Sequence, residues 1–248
     1  MIERRDNDRG CAAGIVFAVA IEADAFERLA TDVVATRAGA ATIYEGLVAG
    51  RRVAWCVAGA GRIAAAHAAR LLVEGHRPRL LVSAGFAGGL DPAIGRGEVV
   101  RPSQAIAEDG TMPLPLASGT PTEPTTIVTV GRIVGTTEEK AALFARSGAR
   151  LVDMETHAVA EVAQAAGLPC AALRVVSDDA GQQLPGEVTA LVQPQSTLRR
   201  LGAALGAVGR RPGAAVDLWR LWEHAVVDGR TLAAALAELC GTLPTSAS

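Results

Sequence analysis

Residues 151–180 read LVDMETHAVAEVAQAAGLPCAALRVVSDDA. A first apolar run ends at Asp153 and Glu155, a helical pattern and a Gly-Leu-Pro turn follow, and a second apolar run ends at residues 177–179 (Ser-Asp-Asp). In open α/β sheets, ligands bind in the crevice outside the carboxyl ends of parallel strands. This strand–helix–strand unit therefore predicts two acidic clusters at one edge of a sheet, which is a candidate active site.

Each of these acids has a structural alternative. An acid after a strand is often only the N-cap of the next helix, where the helix dipole favours it. For Asp153, capping or support of the fold is as good an interpretation as function. Glu155 and Asp178 favour function more strongly, because a carboxylate in an apolar setting must be paired, hydrogen-bonded or neutralised.

Length and composition favour one layered domain. The chain has 248 residues, half of them hydrophobic but only 3% aromatic, which suits helix-on-sheet layers better than a β-sandwich. We expect a flexible N-terminus over residues 1–12 and a single domain over 13–248, in which 187–248 form a helical extension. A net charge of −2 gives no footprint for nucleic acid.

Cysteines and apolar segments exclude further classes of function. The four cysteines lack the spacing of a metal or redox motif, and we expect no metal. Residues 1–10 lack the apolar region of a secretory signal, and no apolar stretch reaches the roughly 18 residues that span a bilayer. We expect a cytoplasmic protein. Lys140 is the only lysine, which we interpret as a genomic preference for arginine rather than as a function.

Another acid follows the first apolar run. Gly14–Ala20 reads as a buried strand, and Glu22 lies at its exit, on the same expected edge. The alternative is a solvated glutamate in the first turn of the next helix. Residues 41–48 and 52–57 predict a hairpin that turns at Ala49-Gly50.

Two glycine-rich segments follow predicted strands. Residues 59–64 match G-x-G-x-x-A, but a dinucleotide site needs an acid about 20 residues on, and the next strand, 79–83, has none at its end. A turn that approaches a small ligand, or that packs helix on strand, fits better. Residues 85–90 (GFAGGL) predict a second turn, whose glycines permit positive φ and close approach.

The middle of the chain alternates strands and excursions. We predict a strand from 97 to about 107 and a long surface excursion over 108–123, a candidate lid or subunit contact. A further strand over 126–130 and a helix over Thr137–Ser147, capped by Thr136 or Thr137, lead back to residue 151.

The C-terminal part predicts amphipathic helices over 190–205, 214–226 and 231–239, with breaks at 211–213 and 228–229. Trp219 and Trp222 share one face, downstream of several arginines. These helices are interpreted as a cap packed on the sheet. The alternative is peripheral contact with a membrane or lipid, since Trp and Arg beside an apolar face suit an interface.

Five motifs stand in order between residues 14 and 180: Ala18-x-x-x-Glu22, Val57-Ala-Gly-Ala-Gly61, Gly85-Phe-Ala-Gly-Gly-Leu90, Val152-Asp-Met-Glu155 and Val176-Ser-Asp178. In this combination the chain resembles the nucleoside phosphorylase/nucleosidase superfamily, which includes methylthioadenosine/S-adenosylhomocysteine nucleosidases and purine nucleoside phosphorylases. The helical tail is most similar to the hopanoid-associated phosphorylases, whose members are thought to remove adenine from adenosylhopane.

The resemblance implies a three-layer α/β/α sandwich with a mixed central sheet, and cleavage of the bond between ribose and a purine. Asp178 then matches the acid near the purine N7, Glu155 the ribose-binding carboxylate and Glu22 the base that activates water. Glycosidic cleavage builds an oxocarbenium-like cation, and the base must depart neutral, so these residue types are required. The implied substrate-binding residues are Met154, Ser177, Gly59, Gly61, Gly85, Phe86, Ala87 and Gly88.

The nucleophile stays open between water and phosphate. No arginine lies near Ala18–Asp24, and Phe86 stands where Ser or Thr is common in phosphorylases. A buried dianion without a guanidinium partner would be unfavourable, although Arg62 or a neighbouring subunit could supply one. The residues favour water, while the subgroup's name favours phosphate as a co-substrate.

We therefore expect an enzyme that releases adenine from a nucleoside with a bulky 5′ substituent, such as adenosylhopane, without an organic cofactor and as a homo-oligomer. The alternative substrates are methylthioadenosine, S-adenosylhomocysteine or purine nucleosides in general. Two rivals belong to other classes: an oxidoreductase that binds a dinucleotide at residues 59–64, and a non-catalytic carrier of a nucleoside or lipid-nucleoside.

Overall fold

The fold is seen in a computed structural model that describes residues 10–39, 41–117, 124–184 and 214–244, without the side chains of 214–222. The strands are β1 (Ala13–Phe17), β2 (Thr31–Ala38), β3 (Ala41–Val48), β4 (Arg51–Val57), β5 (Leu81–Gly89), β6 (Val99–Val100), β7 (Gln104–Ala107), β8 (Leu114–Pro115), β9 (Thr126–Thr129), β10 (Leu151–Asp153) and β11 (Cys170–Asp178). The helices are α1 (Ala20–Glu27), α2 (Arg62–His76), α3 (Thr137–Ser147), α4 (Thr156–Ala165) and α5 (Ala214–Thr242).

The strands form one mixed sheet with the order β2-β3-β4-β1-β5-β10-β9-β7-β8, while β11 and β6 continue it beside β5. β4, β1, β5 and β11 run parallel, whereas β10 runs antiparallel to β5 and parallel to β9. Two cores lie on opposite faces of the sheet. One includes side chains of α2 and α4, and the other includes side chains of α1 and α5. The predicted three-layer sandwich with a mixed sheet is confirmed.

The central strands are apolar on both faces because helices cover both. All five residues of β1 are buried, and so are the first five of β5, as expected for parallel strands between helical layers. Trp55 is fully buried and meets the ring of Phe26 edge-on, with ring centroids 5.6 Å apart. Phe17, Phe26, Tyr44 and Trp55 thus form one aromatic cluster, which includes Phe26 of α1.

The predicted glycine turn at 85–90 is wrong. β5 continues through Gly89, and the residues with positive φ in this part of the molecule are instead Gly59 (94°) and Gly61 (101°). Gly88 pairs with Val152 of β10 on one side and with Asp178 of β11 on the other. The glycines of β5 serve close packing rather than a turn.

The two helices predicted over 214–226 and 231–239 form the single helix α5, so the predicted break at Asp228-Gly229 is wrong. A Cβ atom at Gly229 would lie 2.9 Å from the carbonyl oxygen of Ile21. The glycine therefore brings α5 close to α1 instead of ending the helix. No helix in the described ranges is long and apolar enough to cross a membrane. The helix predicted over 190–205 and the side chains of Trp219 and Trp222 lie outside the described residues.

Other local predictions have mixed outcomes. The hairpin of β3 and β4 turns at Ala49-Gly50, both with positive φ, as predicted. Thr136 caps α3, accepting a hydrogen bond from the Glu139 amide. The strand predicted over 97–107 is broken into β6 and β7, and β2 (Thr31–Ala38) was not predicted at all.

Candidate active site

The three predicted acids line one cavity of about 460 Å³ beside the ends of β1, β5, β10 and β11. Glu22 reaches it from α1, Glu155 from the start of α4 and Asp178 from the end of β11. Of the other predicted site residues, five also line the cavity: Phe86, Ala87, Gly88, Met154 and Ser177. The prediction that acids far apart in the chain converge on one cavity is confirmed.

Glu22 is buried and bound by backbone amides. Its Oε2 accepts hydrogen bonds from the amides of Ala18 and Val19 at 2.9 and 3.0 Å, and its Oε1 accepts one from the Phe86 amide at 2.9 Å. Burial raises the pKa of Glu22, while these amides oppose the rise. The alternative of a solvated first-turn glutamate is wrong, because only 5% of the residue is exposed.

Gly85 makes room for this carboxylate. A Cβ atom at Gly85 would lie 2.5 Å from Oε1 of Glu22, closer than any side chain tolerates. Gly59 acts at the same loop, since its amide donates to the Ala18 carbonyl at 3.0 Å. Neither glycine lines the cavity itself. Their role in the structure is to hold the loop and the carboxylate in place.

Glu155 stands at the N-terminus of two helices. It is the N-cap of α4, and its Oε1 accepts a 2.7 Å hydrogen bond from the amide of Gly61, the N-cap of α2. Burial raises the pKa of Glu155 to about 7; the nearby Asp153 adds to the rise, while Arg174 and the Gly61 amide oppose it. Near neutral pH this carboxyl group is thus poised between its two protonation states.

Asp153 belongs to a buried hydrogen-bonded network. Its Oδ2 lies 2.6 Å from Nη2 of the fully buried Arg174 and accepts from the Thr156 amide at 2.9 Å, and its Oδ1 accepts from the Thr129 hydroxyl at 2.7 Å. Arg174 Nη2 also donates to Ser83 Oγ at 2.7 Å. Asp153 therefore supports the fold and accepts a hydrogen bond from the first turn of α4, and it also lines the cavity.

Asp178 is held by fewer donors. Ser177 Oγ donates to its Oδ1 at 2.5 Å, and Lys140 Nζ lies 2.6 Å from its Oδ2. Burial raises the pKa of Asp178, and Lys140 followed by Ser177 opposes the rise. A Cβ atom at Gly88 would lie 3.3 Å from Asp178 Oδ2, so the bare strand leaves space for the acid. The neighbouring Asp179 instead accepts from the Gly181 amide in the following turn and does not line the cavity.

Much of the cavity wall was not predicted from the sequence. Apolar side chains of α1, of the segment after β9 and of residue 184 line the cavity. Residues of α5 form a further part of the wall. These unpredicted lining residues include Ile21, Ile133, Val134, Leu184, His224, Ala225 and Asp228. Arg96 holds α5 here, because its Nη2 donates to Asp228 Oδ2 at 2.7 Å while its Nε donates to the Ser177 carbonyl at 3.1 Å.

The cationic side chains near the cavity are few. Arg62, considered as a phosphate ligand, instead binds Asp109 at 2.9 Å and lies 3.9 Å from Glu161. Arg132, in the segment after β9, and His224, on α5, also line the cavity, and Arg132 lies 3.6 Å from Glu108. Among the residues that the structure describes, no cluster of His, Cys, Asp and Glu is arranged to hold a metal ion.

A mixed α/β sheet with Glu22, Glu155 and Asp178 around one cavity is what the resemblance to the nucleosidase and nucleoside phosphorylase class implies. The sequence profile of the phosphorylase superfamily matches residues 12–118 and 115–210. The chain therefore belongs to the phosphorylase superfamily. This membership sets aside both the oxidoreductase and the non-catalytic carrier.

Curated relatives and solved structures agree with this placement. The 5′-methylthioadenosine/S-adenosylhomocysteine nucleosidase of Actinobacillus succinogenes is 28% identical over 194 residues, 66% of this chain and 84% of that protein. The structure of S-adenosylhomocysteine nucleosidase from Streptococcus pyogenes, in complex with 5-methylthiotubericidin, has a TM-score of 0.73 at 17% identity, and the match covers 95% of this chain and 98% of that chain. Futalosine hydrolase of Helicobacter pylori has a TM-score of 0.67 at 16% identity, covering 91% and 97%.

Proposed function

We propose that the protein hydrolyses the N-glycosidic bond of an adenosine-type nucleoside that carries a bulky apolar 5′ substituent. The observation that carries this proposal is the convergence of Glu22, Glu155 and Asp178 on one cavity, each in a different electrostatic setting. Glycosidic cleavage needs an acid, a base and a group that stabilises the developing cation. Three buried carboxyl groups on different elements match those three tasks.

Asp178 is assigned to the leaving base. Cleavage leaves the bonding electrons on the purine, which departs more easily if a ring nitrogen such as N7 takes up a proton. A carboxyl group supplies that proton near neutral pH only if its pKa is raised, and burial raises the pKa of Asp178. Ser177 orients the carboxyl group through Oδ1. The acid therefore has a raised pKa and a fixed direction.

Glu155 is assigned to the ribose. Its carboxylate accepts hydrogen bonds from sugar hydroxyls and, when ionised, attracts the positive charge that develops on the ring. The pKa of about 7 falls when a cation approaches, because an opposite charge favours the ionised form. Glu155 thus becomes a stronger stabiliser as the transition state is reached. Met154, which lines the cavity beside it, packs against the sugar.

Glu22 is assigned to the nucleophile. The amides of Ala18, Val19 and Phe86 form a concave set of donors that resembles an anion site, yet the Glu22 carboxylate already occupies it. A phosphate dianion placed there would meet this carboxylate at short range, and like charges repel strongly in a buried site. Water meets no such repulsion and finds in Glu22 a base of raised pKa. This favours hydrolysis over phosphorolysis.

The apolar wall supports a bulky 5′ group. Ile21, Ile133, Val134, Leu184 and Ala225 line the cavity together with the acids, and such a wall accommodates a hydrocarbon substituent. An adenosine with a large hydrocarbon at the 5′ position, such as adenosylhopane, is the substrate we favour. The relatives' names point to the alternative, in which methylthioadenosine or S-adenosylhomocysteine is cleaved.

The test compares adenosine, methylthioadenosine and a series of 5′-alkyl adenosines of increasing chain length, each with and without phosphate. Released adenine and the sugar product are identified by mass spectrometry. We expect the free ribose derivative in both buffers, and a kcat/KM that rises with chain length. Formation of ribose 1-phosphate would overturn the role of water, and equal kcat/KM values for all chain lengths would overturn the 5′ preference.

Two variants test the acid itself. Asp178→Asn should lower kcat by about 10²–10⁴-fold, the range for a lost general acid, while substrate still binds. Asp179→Asn is the matched control, because this adjacent acid points into the turn rather than the cavity. Adenine release by Asp178→Asn at a rate near that of the unaltered enzyme would refute the assignment.

A further inference from the structure

Lys140 occupies an unusual position for a lysine. It is the only lysine of the chain, lies on α3, and is 0% exposed. Its Nζ lies 2.6 Å from Asp178 Oδ2 and donates to the carbonyl oxygens of Asp179 and Gln182 at 2.6 and 2.8 Å. A buried ammonium is expensive unless it is paired and hydrogen-bonded, and here three oxygens surround it. One of these belongs to the proposed acid.

We propose that Lys140 is a positioning residue for proton transfer: its ammonium holds the Asp178 carboxyl group and stabilises the carboxylate that remains after the proton has gone to the departing base. The inference rests on the proposed function and extends it to a residue outside the cavity lining. Lys140 touches neither the substrate nor the reacting bond. It acts through Asp178.

The step balances without any further reactant. The Asp178 carboxyl proton moves to a purine nitrogen as the bond from the sugar to the base breaks, and the bonding electrons leave with the base. Lys140 keeps its protons throughout, and its positive charge offsets the new negative charge on Asp178. Water adds to the sugar, and Asp178 regains a proton before the next turnover.

The charges around Asp178 fit the roles assigned here, with Asp178 as the acid and Lys140 as its positioning residue. Burial raises the pKa of Asp178 and the neighbouring Asp179 adds to the rise, whereas Lys140 and the Ser177 hydroxyl lower it. Arg96 lies on the far side of the Ser177 carbonyl and is paired with Asp228. A general acid works best when its pKa lies near the working pH. Without Lys140, the acid would hold its proton too tightly.

A purely structural role is the competing explanation, since Lys140 also clamps the backbone of residues 179–182. The two explanations differ in what they predict for the leaving group. An acid-positioning residue matters for a purine, which needs a proton to depart. It does not matter for 4-nitrophenolate, which departs as a stable anion. A structural clamp would affect both substrates alike.

The experiment measures kcat from pH 5 to 10 for Lys140→Met, Lys140→Gln and Lys140→Arg, with an adenine nucleoside and with 4-nitrophenyl riboside. Activity that needs protonated Asp178 falls as pH rises through its pKa. Loss of the cation should therefore move this high-pH limb upward by about one pH unit and lower kcat on the nucleoside by about 10–100-fold. The nitrophenyl riboside rate should stay within about twofold, and Lys140→Arg should move the limb back.

The controls separate folding from chemistry. Leu143→Ala removes a buried side chain from the same helix and should lower stability without moving the limb. If Lys140→Met does not fold, Lys140→Gln gives the same decision. An unmoved limb together with equal losses on both substrates would overturn the inference while leaving the proposed function intact. Undiminished adenine release by Asp178→Asn would remove the proposed function itself.

Discussion

Two acids at the ends of two strands have similar cationic partners but different hydrogen-bond donors around them. Asp153 ends β10 and Asp178 ends β11, and the two strands lie on opposite sides of β5. Each carboxylate has a fully buried cation at 2.6 Å, Arg174 for Asp153 and Lys140 for Asp178. A buried ion pair alone therefore does not distinguish a structural acid from a reactive one.

The first difference is the number of neutral donors. Asp153 accepts from the Thr129 hydroxyl and from both the amide and the hydroxyl of Thr156, in addition to Arg174. Asp178 accepts from the Ser177 hydroxyl beside Lys140. Hydrogen bonds to a carboxylate favour its ionised form. Asp178 has fewer of them, and burial dominates its pKa.

The second difference is the cation. The Arg174 guanidinium donates through Nη2 to Asp153, Ser83 and Thr156, so its pair with Asp153 is part of a closed network. We call this a fixed pair. The Lys140 pair is adjustable, because Asp178 has fewer donors and burial raises its pKa, which favours uptake of a proton by the carboxyl group. Variants that remove one partner from each pair test this distinction.

The largest effect is expected on stability. Arg174→Met leaves the Asp153 carboxylate buried without its cation and should lower the free energy of unfolding by about 3–5 kcal/mol. Lys140→Met should lower it by only about 1–2 kcal/mol, because Asp178 can take up a proton and the freed carbonyls near the surface can bind water. Urea unfolding at pH 8 measures both values.

The double variant Arg174→Met/Asp153→Asn is the control for charge. Removing the orphaned carboxylate should recover part of the stability that Arg174→Met loses. Equal losses for Arg174→Met and Lys140→Met would contradict the distinction between fixed and adjustable pairs.

The next effect concerns Glu155, which lines the same cavity. Its pKa rises from an ordinary 4.5 to about 7 in the folded protein. Below pH 4.5 the group is protonated in both states, so folding is unaffected. Between pH 4.5 and 7 the carboxyl group ionises in the unfolded chain but stays protonated in the folded protein. The free energy of unfolding therefore falls by on the order of 3 kcal/mol over this range.

Glu155→Gln should therefore be more stable than the unaltered protein at pH 8, by up to about 3 kcal/mol, and equally stable at pH 4. Its turnover should nevertheless be strongly reduced, because a neutral amide does not stabilise a cation. Thermal unfolding across pH 4–8 gives the measurement. If Glu155→Gln lost as much stability between pH 4 and pH 8 as the unaltered protein does, the assigned pKa would be contradicted.

Local pattern predicted helix-on-sheet layers and acids at the ends of strands, whereas the three-layer sandwich with a mixed sheet was implied by the resemblance to the superfamily. Continuous apolar runs marked β1 and β11, and an acid at the end of each run marked the site. The antiparallel direction of β10 escaped prediction, because strand direction depends on partners far away in the chain. The glycines of β5 were assigned to a turn, since the pattern does not show that the space beside Gly85 is taken by Glu22.

Lys140 and the cavity wall could not be found from local pattern. Lys140 lies 38 residues before Asp178 in a helix whose exposed and buried faces look ordinary in the sequence. Only the packing of α3 brings its Nζ to the acid. The same holds for α5, which reaches the cavity because Gly229 lets it approach α1. Our interpretation of the single lysine, a genomic preference for arginine, did not predict this contact.

A smaller effect comes from the hydroxyl groups on the two acids. Thr129→Val removes the donor to Asp153 Oδ1 and the acceptor of the His157 amide, at 2.7 and 2.9 Å, while keeping the shape of the side chain. We expect a loss of about 2 kcal/mol of stability and an unchanged kcat per folded molecule. A changed pH profile of kcat would show that Asp153 takes part in the chemistry.

The smallest effect is expected from Ser177→Ala, which removes the corresponding hydroxyl from Asp178. Ser177 is partly exposed and its hydroxyl lies 2.5 Å from Oδ1, so water can replace it and stability should change by less than about 0.5 kcal/mol. The loss of a donor raises the pKa of Asp178 slightly, because Ser177 favours the ionised form. We expect kcat to fall about 3–10-fold, with the high-pH limb displaced upward by less than in Lys140→Met. Together with Thr129→Val, this pair removes one hydroxyl from each acid. If both hydroxyl groups affected stability alone, the two acids would be equivalent, and the donor count would not explain why one of them is reactive.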